Sequence, residues 1–410
     1  MKILIITKSA TTLKEGFESR TSILAQEFVK HNHNVCIITS NSNHGASYKN
    51  RTDKIHEYIH NGVNLKIINT LQYVNSISFK RILSWIDFEI KIFINLKKLI
   101  TNLPDVVIIS SLSLLTVING LVIKVKYPKT KLIFEVRDIW PLTLTEEGGY
   151  SKYHPAVLFL GLIEKIGYKY YDVVVGTMPN LKEHVETILN KKVDNVHCIP
   201  FGVYPNTYDL SDISTINDKT FIKFKNNTHK KFTIGYAGSI GLSNGLNTII
   251  QVIKEMEEYQ DIHFVFLGDG GYRDRYQEEL SDFKNVTFTG RIKREYVKYY
   301  LEKCDVLFIA ALPSKVWLYG WSLNKMIDYM ISGKPVIAEY DGHRSMINEA
   351  ESGFFVKSRD FEALKNKIIE LYEMPSIDLE KIGKKGKDWI INNRSWEKIA
   401  NNYLTIIKNI

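Results

Sequence analysis

The stretch Tyr319-Gly-Trp-Ser-Leu-Asn-Lys-Met-Ile-Asp328-Tyr-Met-Ile-Ser-Gly-Lys-Pro-Val-Ile337 contains a helix start, a helix end and a buried strand. Ser322 is a suitable helix N-cap, and Asn324 and Lys325 then fall in the first turn. Gly333 is a typical helix end, and the apolar run that follows it predicts a strand buried on both faces. The stretch therefore predicts one helix-to-strand unit of an α/β sheet.

A lysine in the first turn conflicts with the partial positive charge of a helix N-terminus. An anion bound there would remove the conflict, and helix N-termini bind phosphate groups readily. Asp328 lies one turn beyond Lys325 on the same face, where it could accept hydrogen bonds from ribose hydroxyls. The alternative is a solvated lysine on an amphipathic helix, and the motif in isolation does not distinguish the two.

Outward from this stretch, short apolar strands alternate with helical patterns along the whole chain. Amphipathic helices separate the strands in the first half, as at Ser19–His31 and Ile82–Ile100. Continuous apolar strands joined by helices predict parallel sheets covered on both faces. The predicted strands are Ile3–Thr7, Val35–Thr39, Leu65–Ile68, Val106–Ser110, Leu132–Val136, Val173–Thr177, Val196–Pro200, Phe232–Ala237, His263–Leu267, Val286–Thr289, Val306–Ala310, Pro335–Ala338 and Gly353–Val356.

The polar stretch between Tyr204 and Lys231 is the best linker candidate. We therefore predict an N-terminal Rossmann-like domain over residues 1–205, a linker over 206–231 and a C-terminal Rossmann-like domain over 232–393. A last helix, from about 394 to 410, is expected to pack back on the first domain. The fold class is α/β, with two doubly wound domains facing each other across a cleft and ligands bound beyond the carboxyl ends of the strands.

Composition limits the class of protein. The chain has 410 residues, a formal net charge of +9 and three scattered cysteines, which fits two domains in a reducing, cytoplasmic compartment. Lysine and arginine are dispersed, which argues against a nucleic-acid partner, whereas an anionic membrane surface or a phosphorylated substrate would suit a basic protein. The run from Val106 to Ile123 contains three serines and Asn119-Gly120, so it predicts a strand and a packed helix rather than a membrane span.

Three glycine turns follow strands of the second domain. Gly238-Ser-Ile-Gly241, Gly268-Asp-Gly-Gly271 and Gly290-Arg291 would let backbone amides approach a ligand closely. One such turn is weak evidence, but three of them together with the Lys325 helix favour a phosphate-bearing ligand. No spacing fits a dinucleotide fingerprint or a Walker loop, which argues against a dehydrogenase or an ATPase.

Two further features concern the first domain. Asp138, in Arg137-Asp-Ile-Trp-Pro141, follows a strand at the mouth of the expected cleft, where a carboxylate could orient or deprotonate an acceptor hydroxyl; alternatively it pairs with Arg137 or caps a helix. The apolar segments Phe159–Ile163 and Trp85–Ile94 are expected to be core, and a shallow membrane contact is the alternative. No cluster of residues has metal-ligand spacing.

These motifs together resemble the glycosyltransferases of GT-B architecture, family 4, and within it bacterial enzymes of O-antigen and capsule biosynthesis. The resemblance covers essentially the whole chain. It rests on Arg137–Pro141, Tyr236–Gly241, Gly268–Gly270, Ser322–Met330 with Gly333–Ile337, and Arg394-Ser-Trp396.

The resemblance implies a retaining transfer of a sugar from a nucleotide diphosphate donor, UDP-linked in our reading, without a metal or another cofactor. The implied acceptor is a saccharide on polyprenyl diphosphate at the cytoplasmic face of the inner membrane. Asp138, Lys325 and Asp328 are the implied catalytic residues, with Lys325 against the diphosphate and Asp328 against the ribose. The implied donor-binding residues are Gly16, Gly238, Ser239, Gly241, Gly268, Arg291, Asn324, Lys325 and Asp328, and the implied acceptor-side residues are Arg20, Arg137 and Asp138.

The chain departs from the family pattern at two places. Gly320 stands where the family has the first acid of its paired-acid motif, and Ser239 and Asn244 stand where many members have arginine and lysine. Trp321, Arg291 or Arg273 are candidates to replace the missing contacts. The departures keep two alternatives open: a nucleotide-amino-sugar epimerase of the same architecture, and a degenerate sugar-nucleotide-binding subunit without catalysis.

Overall fold

The computed structural model describes residues 1–15, 17–42, 54–73, 78–111, 113–205 and 219–410. These residues form two compact units. Unit 1 comprises Met1–Phe201 together with Trp396–Ile410, and unit 2 comprises Gly202–Ser395.

Unit 1 is built on an eight-stranded sheet in the order β3-β4-β2-β1-β5-β6-β7-β8. All pairs are parallel except β3 with β4. Strands such as β5 are buried along their whole length, as their apolar sequences predict. The strands are β1 (Lys2–Ile6), β2 (Asn34–Ser40), β3 (Ile55–His60), β4 (Val63–Ile68), β5 (Val106–Ser110), β6 (Lys131–Val136), β7 (Val173–Gly176) and β8 (Val196–Cys198).

Helices connect the parallel strands of unit 1. They are α1 (Arg20–Lys30), α2 (Phe79–Leu99), α3 (Thr116–Lys126), α4 (Leu142–Glu146), α5 (Pro155–Tyr170) and α6 (Leu181–Leu189). Helix α3 packs against both α2 and α5. Among the described residues, no helix is both long enough and apolar enough to cross a membrane.

Unit 2 contains a six-stranded parallel sheet in the order β11-β10-β9-β12-β13-β14. The chain runs outward from β9 to β11 and then returns to β12 on the other side of β9. This change of direction creates a crevice at the carboxyl ends of β9 and β12, where sheets of this kind bind ligands. The strands are β9 (Phe232–Ala237), β10 (Ile262–Leu267), β11 (Val286–Gly290), β12 (Val306–Ala310), β13 (Val336–Glu339) and β14 (Gly353–Val356).

The helices of unit 2 are α7 (Lys219–Thr228), α8 (Asn247–Glu255), α9 (Arg273–Glu279), α10 (Arg294–Glu302), α11 (Asn324–Ile331), α12 (Met346–Glu349), α13 (Phe361–Glu373) and α14 (Ser376–Arg394). Helix α7 falls inside the segment predicted as a linker, and residues 206–218 of that segment lie outside the described residues. Phe221 and Phe224 of α7 are buried, and each ring packs against the Tyr300 ring at 4.9 Å between centroids, edge-on for Phe221 and tilted for Phe224. The polar composition of the segment concealed this pair of aromatic residues.

The last helix, α15 (Trp396–Lys408), belongs to unit 1 and packs on α1. Its Tyr403 ring meets the Phe28 ring edge-on at 5.6 Å between centroids. The Tyr403 hydroxyl donates to Glu135 Oε2 at 3.3 Å. The chain therefore crosses from unit 1 to unit 2 and returns to unit 1 at its end.

Candidate functional site

The three glycine turns of unit 2 meet at the carboxyl ends of β9, β10 and β11. The Gly268 amide donates to Gly290 O at 3.0 Å, and the Ile240 amide donates to Asp269 O at 2.9 Å. A Cβ on Gly268, whose φ is +147°, would lie 1.9 Å from Gly238 O. The turns touch backbone to backbone, so their packing requires glycine. The same absence of side chains would let a ligand approach the backbone amides closely.

Helix α11 begins one residue later than predicted. The structure places Leu323 at the N-cap, and no side chain caps the helix. Ser322, the predicted cap, has a buried Oγ without a hydrogen-bond partner among the described residues, and the same holds for Trp321 Nε1. The start of α11 therefore keeps uncapped amide groups and two unsatisfied polar side chains, an arrangement that a hydrogen-bonding ligand would complete.

Lys325 is held at this helix start by two neutral groups. Its Nζ donates to Asn244 Oδ1 at 2.6 Å and to Tyr236 Oη at 3.1 Å, and it lies 4.8 Å from the centroid of the Tyr236 ring. Tyr236 Oη in turn donates to Ser239 O at 2.6 Å. An ammonium group has three N–H donors, so one remains available for a ligand.

Lys325 makes no ion pair with any carboxylate in the described part of the chain. Desolvation lowers its pKa to about 8. A bound anion would restore the charged form of this lysine. Asn244, one of the two departures from the family pattern described above, thus positions Lys325 through its side-chain carbonyl.

Asp328 lies one turn further along α11 and is bound by a residue that the sequence analysis missed. Arg294, at the start of α10, donates to both carboxylate oxygens at 2.6 Å. Asp328 is nearly buried, whereas the Arg294 side chain is largely exposed. This bidentate, charge-assisted pair fixes the orientation of the Asp328 carboxylate.

The remaining predicted donor residues lie around this centre. Gly320 has φ +96°, a conformation that favours glycine, so an acid there would require a different backbone. Ser239, Arg291 and Asn324 are exposed. Gly241 closes the first turn through its carbonyl, which accepts from the Asn244 amide at 3.2 Å.

The two arginines considered as replacements for missing charge differ. Arg273 is already paired with Asp269 at 3.3 Å and with Asp274 at 2.8 Å, which argues against a role in binding phosphate. Arg291 has no ion pair within the described residues. Gly16 lies outside the described residues.

The predicted acceptor-side residues in unit 1 have two different environments. Arg20 is 2% exposed, donates to Glu135 Oε1 at 2.7 Å and to Ile199 O at 2.7 Å, and therefore joins α1 to β6 rather than facing an acceptor. Its assignment as a contact to the acceptor stays a prediction, and the structure gives this guanidinium a structural partner in Glu135. Arg137 lies over the Phe201 ring at 5.3 Å from the centroid.

Asp138 remains accessible at the carboxyl end of β6. Desolvation by the surrounding protein raises its pKa, and the positive charges of Arg137 and Arg81 oppose this increase. A carboxylate can stay open to solvent on one side and still lose much of its hydration on the others. Its pKa is therefore shifted in the direction that helps a carboxylate accept a proton near neutral pH.

Two doubly wound units on one chain define the GT-B architecture, and comparison with solved structures agrees. HepE from Anabaena, solved with UDP and glucose, matches with a TM-score of 0.67 and 13% identity, covering 100% of both chains. A sucrose-phosphate synthase from Thermosynechococcus elongatus matches with a TM-score of 0.69 and 16% identity, covering 100% of this chain and 98% of that one. Identities this low show the fold alone, and they confirm the predicted GT-B fold.

Sequence comparisons give matches to glycosyltransferases. Residues 218–389 match the model described as glycosyl transferases group 1. EpsD of Bacillus subtilis (strain 168), named as a glycosyltransferase, is 24% identical over 191 residues, or 45% of this chain and 48% of EpsD. The capsular polysaccharide biosynthesis glycosyltransferase CapM of Staphylococcus aureus is 24% identical over 259 residues, or 61% of this chain and 66% of CapM.

Over residues 218–389 the chain is similar to the group 1 glycosyltransferases, and these matches support a GT-B glycosyltransferase, as the resemblance predicted. The matched segments span about half to two thirds of these curated relatives. The narrower assignment to family 4 stays a prediction.

Proposed function

We propose that the protein is a retaining glycosyltransferase of family 4 that transfers a sugar from a UDP-linked donor to a saccharide on polyprenyl diphosphate. In this proposal unit 2 binds the donor, unit 1 binds the acceptor, and no metal or organic cofactor is used. The name of CapM supports a role in surface polysaccharide biosynthesis. The UDP in the HepE structure supports a uridine donor.

The observation that carries the proposal is the environment of Lys325. Its ammonium group lies at the uncapped start of α11, beside three glycine turns, with one N–H donor unused and no carboxylate partner among the described residues. A structural lysine at this depth would be expected to have an acidic partner. A diphosphate would supply the opposite charge and would also accept hydrogen bonds from the free amides.

The chemistry requires charge stabilisation at this point. The acceptor oxygen forms a bond to the anomeric carbon, the bond from that carbon to the diphosphate oxygen breaks, and its electron pair stays on the diphosphate. Negative charge thus increases on the diphosphate in the transition state, where Lys325 and the α11 amides would stabilise it. We assign Asp138 to orient the acceptor hydroxyl and to accept its proton as the new bond forms.

A lipid-linked acceptor requires access to a membrane surface, and one face of unit 1 has suitable chemistry. Exposed apolar side chains follow α2 at helical spacing, while Phe88, Ile92 and Leu96 bury its other face. Helices α3 and α5 extend the exposed apolar surface. We define the apolar helix face by these side chains: Phe79, Ile82, Ile86, Ile90, Phe93, Ile94, Ile118, Leu158, Phe159 and Leu162.

The charge of the same helices favours an anionic surface. Helices α2, α3 and α5 carry nine lysine and arginine residues against three acidic ones. Two of the three acids, Glu89 and Glu164, are bound to internal partners. We therefore propose that the apolar helix face rests on the cytoplasmic face of the inner membrane, with lysines at the lipid headgroups.

The decisive experiment has two steps. Thermal shift with a panel of nucleoside diphosphates and nucleotide sugars identifies the donor, and transfer is then measured with a polyprenyl-diphosphate saccharide. We expect Lys325→Met to weaken UDP binding on the order of tenfold to a hundredfold, because a charge-assisted hydrogen bond is lost. Lys225→Met, which removes an exposed lysine from α7, is the matched control and should bind UDP normally.

The alternatives predict other results. An epimerase would convert the donor sugar without an acceptor. Binding of UDP without any transfer would favour a degenerate binding subunit. Gly320 and Ser239 support this alternative, because they stand where the family pattern has charged residues. Equal UDP affinity of Lys325→Met and Lys225→Met would refute the proposed donor site.

A further inference from the structure

A separate recess of about 290 Å³ opens in unit 2 at the carboxyl ends of β12 and β13. The start of α8, the segment after β12, Glu339 at the end of β13 and Arg359 after β14 line it. Its volume is at the small end for ligand pockets, which suits a single ring rather than a nucleotide.

Glu339, which lines this recess, carries an unsatisfied carboxylate oxygen. The residue is 2% exposed, and its Oε1 accepts from Thr248 Oγ1 at 2.8 Å and from the Arg359 amide at 2.7 Å. Its Oε2 is buried without a hydrogen-bond partner among the described residues. An orphaned carboxylate oxygen is costly, so the site is complete only when a donor is supplied from outside the chain.

The charges around Glu339 restrict what that donor can be. Helix α8 starts at the recess without a side-chain cap, so its free amides present partial positive charge, and the exposed Arg359 adds a full charge. These groups disfavour an ammonium ligand, whereas Glu339 disfavours an anion. A hydroxyl group satisfies both sides, because it donates to a carboxylate and accepts from an amide.

The recess adjoins the Lys325 site without being part of it. Asn244 faces Lys325, whereas the next residue, Gly245, lines the recess with φ +61°. A Cβ on Gly245 would lie 3.0 Å from Ala311 C and Leu312 N, so this turn packs tightly against the segment after β12. The two partners of Lys325, Asn244 and Tyr236, do not line the recess. A ligand in the recess is therefore distinct from the diphosphate.

We propose that the recess binds a saccharide ring through neighbouring hydroxyl groups, one of which donates to Glu339 Oε2. A sugar ring fits the volume and is neutral, and its adjacent hydroxyls can meet Glu339 and the α8 amides at once. The exposed side chains of Asn247 and Gln251 offer further amide contacts at the rim. The choice of a saccharide rests on the proposed function, under which the protein handles sugar chains.

The test measures binding of methyl glycosides of common hexoses and N-acetylhexosamines to the full chain by saturation-transfer NMR. Gln251→Phe fills the mouth of the recess, and Gln277→Phe makes the same change on exposed α9 as a control. We expect Gln251→Phe to weaken glycoside binding at least tenfold and Gln277→Phe to leave it unchanged. Glu339→Gln should weaken it about tenfold, because the charge-assisted hydrogen bond is lost.

UDP titration of the same proteins separates this proposal from the proposed function. Unchanged UDP affinity in all three variants, with glycoside binding lost only in Gln251→Phe and Glu339→Gln, is the supporting result. Equal glycoside binding by Gln251→Phe and Gln277→Phe would overturn the saccharide site. If the unaltered protein binds UDP but no glycoside, the saccharide site is also overturned, because the recess then holds only water. If the unaltered protein does not bind UDP, the proposed function is contradicted instead.

Discussion

At the scale of the residue, Lys325 combines a high cost of burial with a single unused donor. Its pKa is lowered to about 8, whereas an unfolded lysine titrates near 10.5. A bound diphosphate would raise this pKa again, so the complex holds a proton that the free protein loses above pH 8. Binding should therefore be linked to proton uptake.

This linkage gives a pH dependence with a defined sign. UDP affinity should be constant from about pH 7 to 8 and should fall as pH rises further, by up to about tenfold per unit. A terminal phosphate titrates near pH 6, so it does not interfere in this range. Isothermal titration calorimetry at pH 8.5 in two buffers of different ionisation enthalpy should show proton uptake.

Lys325→Met is the control for this prediction, because it removes the titrating group and should abolish both the uptake and the slope above pH 8. A slope that persists in Lys325→Met would assign the pH dependence to another group.

Asp328 shows the complementary limit of reasoning from single residues. Its position on α11 was evident from spacing, whereas its bidentate partner Arg294 is 34 residues away in sequence and is brought to it only by the tertiary fold.

At the scale of the element, the glycine turns after β9 and β10 depend on the absence of a side chain at one position. We expect Gly268→Ala to destabilise the protein by about 2–4 kcal/mol, because its Cβ would collide with Gly238 O and its φ is positive. Urea unfolding measures this change. The collision would also displace the turn that faces Lys325, so UDP binding should weaken.

Gly271→Ala tests the same turn without the collision. A Cβ on Gly271 meets nothing within 4 Å, and we expect a change within about 0.5 kcal/mol. Similar midpoints for the two variants would mean that the two turns separate easily, contrary to the close approach described here.

The elements also show what sequence patterns can and cannot predict. All thirteen predicted strands occur within at most two residues of their predicted bounds. Most of them are buried along nearly their whole length, and strands buried on both faces are apolar without interruption. Strand β3 was missed because none of its six residues is buried and two are exposed, so its sequence is mixed. The Asn61-Gly62 turn that joins it to β4, with φ of +48° and +80°, was the signal that could have found it.

The candidate site was predictable only in part, for a physical reason. Lys325 and the glycine turns stand out because each violates a local preference of the chain. Helix α11 begins at Asn324 rather than at the predicted position because Ser322 is turned inward, and that depends on tertiary packing around Trp321 and Tyr340. Arg20 was assigned by resemblance, and only the buried position of Glu135 reveals its structural role.

At the scale of the whole molecule, the net charge of +9 and the apolar helix face act in the same direction. We expect the protein to float with vesicles containing anionic phospholipid and to bind neutral vesicles much less, because the lysines contribute only at a negative surface. Higher salt should release part of the bound protein, since surface charges are screened while apolar contacts persist. Sucrose-gradient flotation of the full chain measures both effects.

The apolar contribution is tested by placing charge on the exposed side of α2. Ile90→Asp combined with Ile94→Asp should abolish flotation without unfolding unit 1, because both side chains point away from the buried row of Phe88, Ile92 and Leu96. Ile377→Asp, which charges an exposed isoleucine at the start of α14 in unit 2, is the control and should float normally. If the double variant floats as well as this control, lysines alone hold the protein at the membrane surface. If the unaltered protein stays at the bottom of the gradient, this face does not contact the membrane, and the acceptor must reach the enzyme in another way.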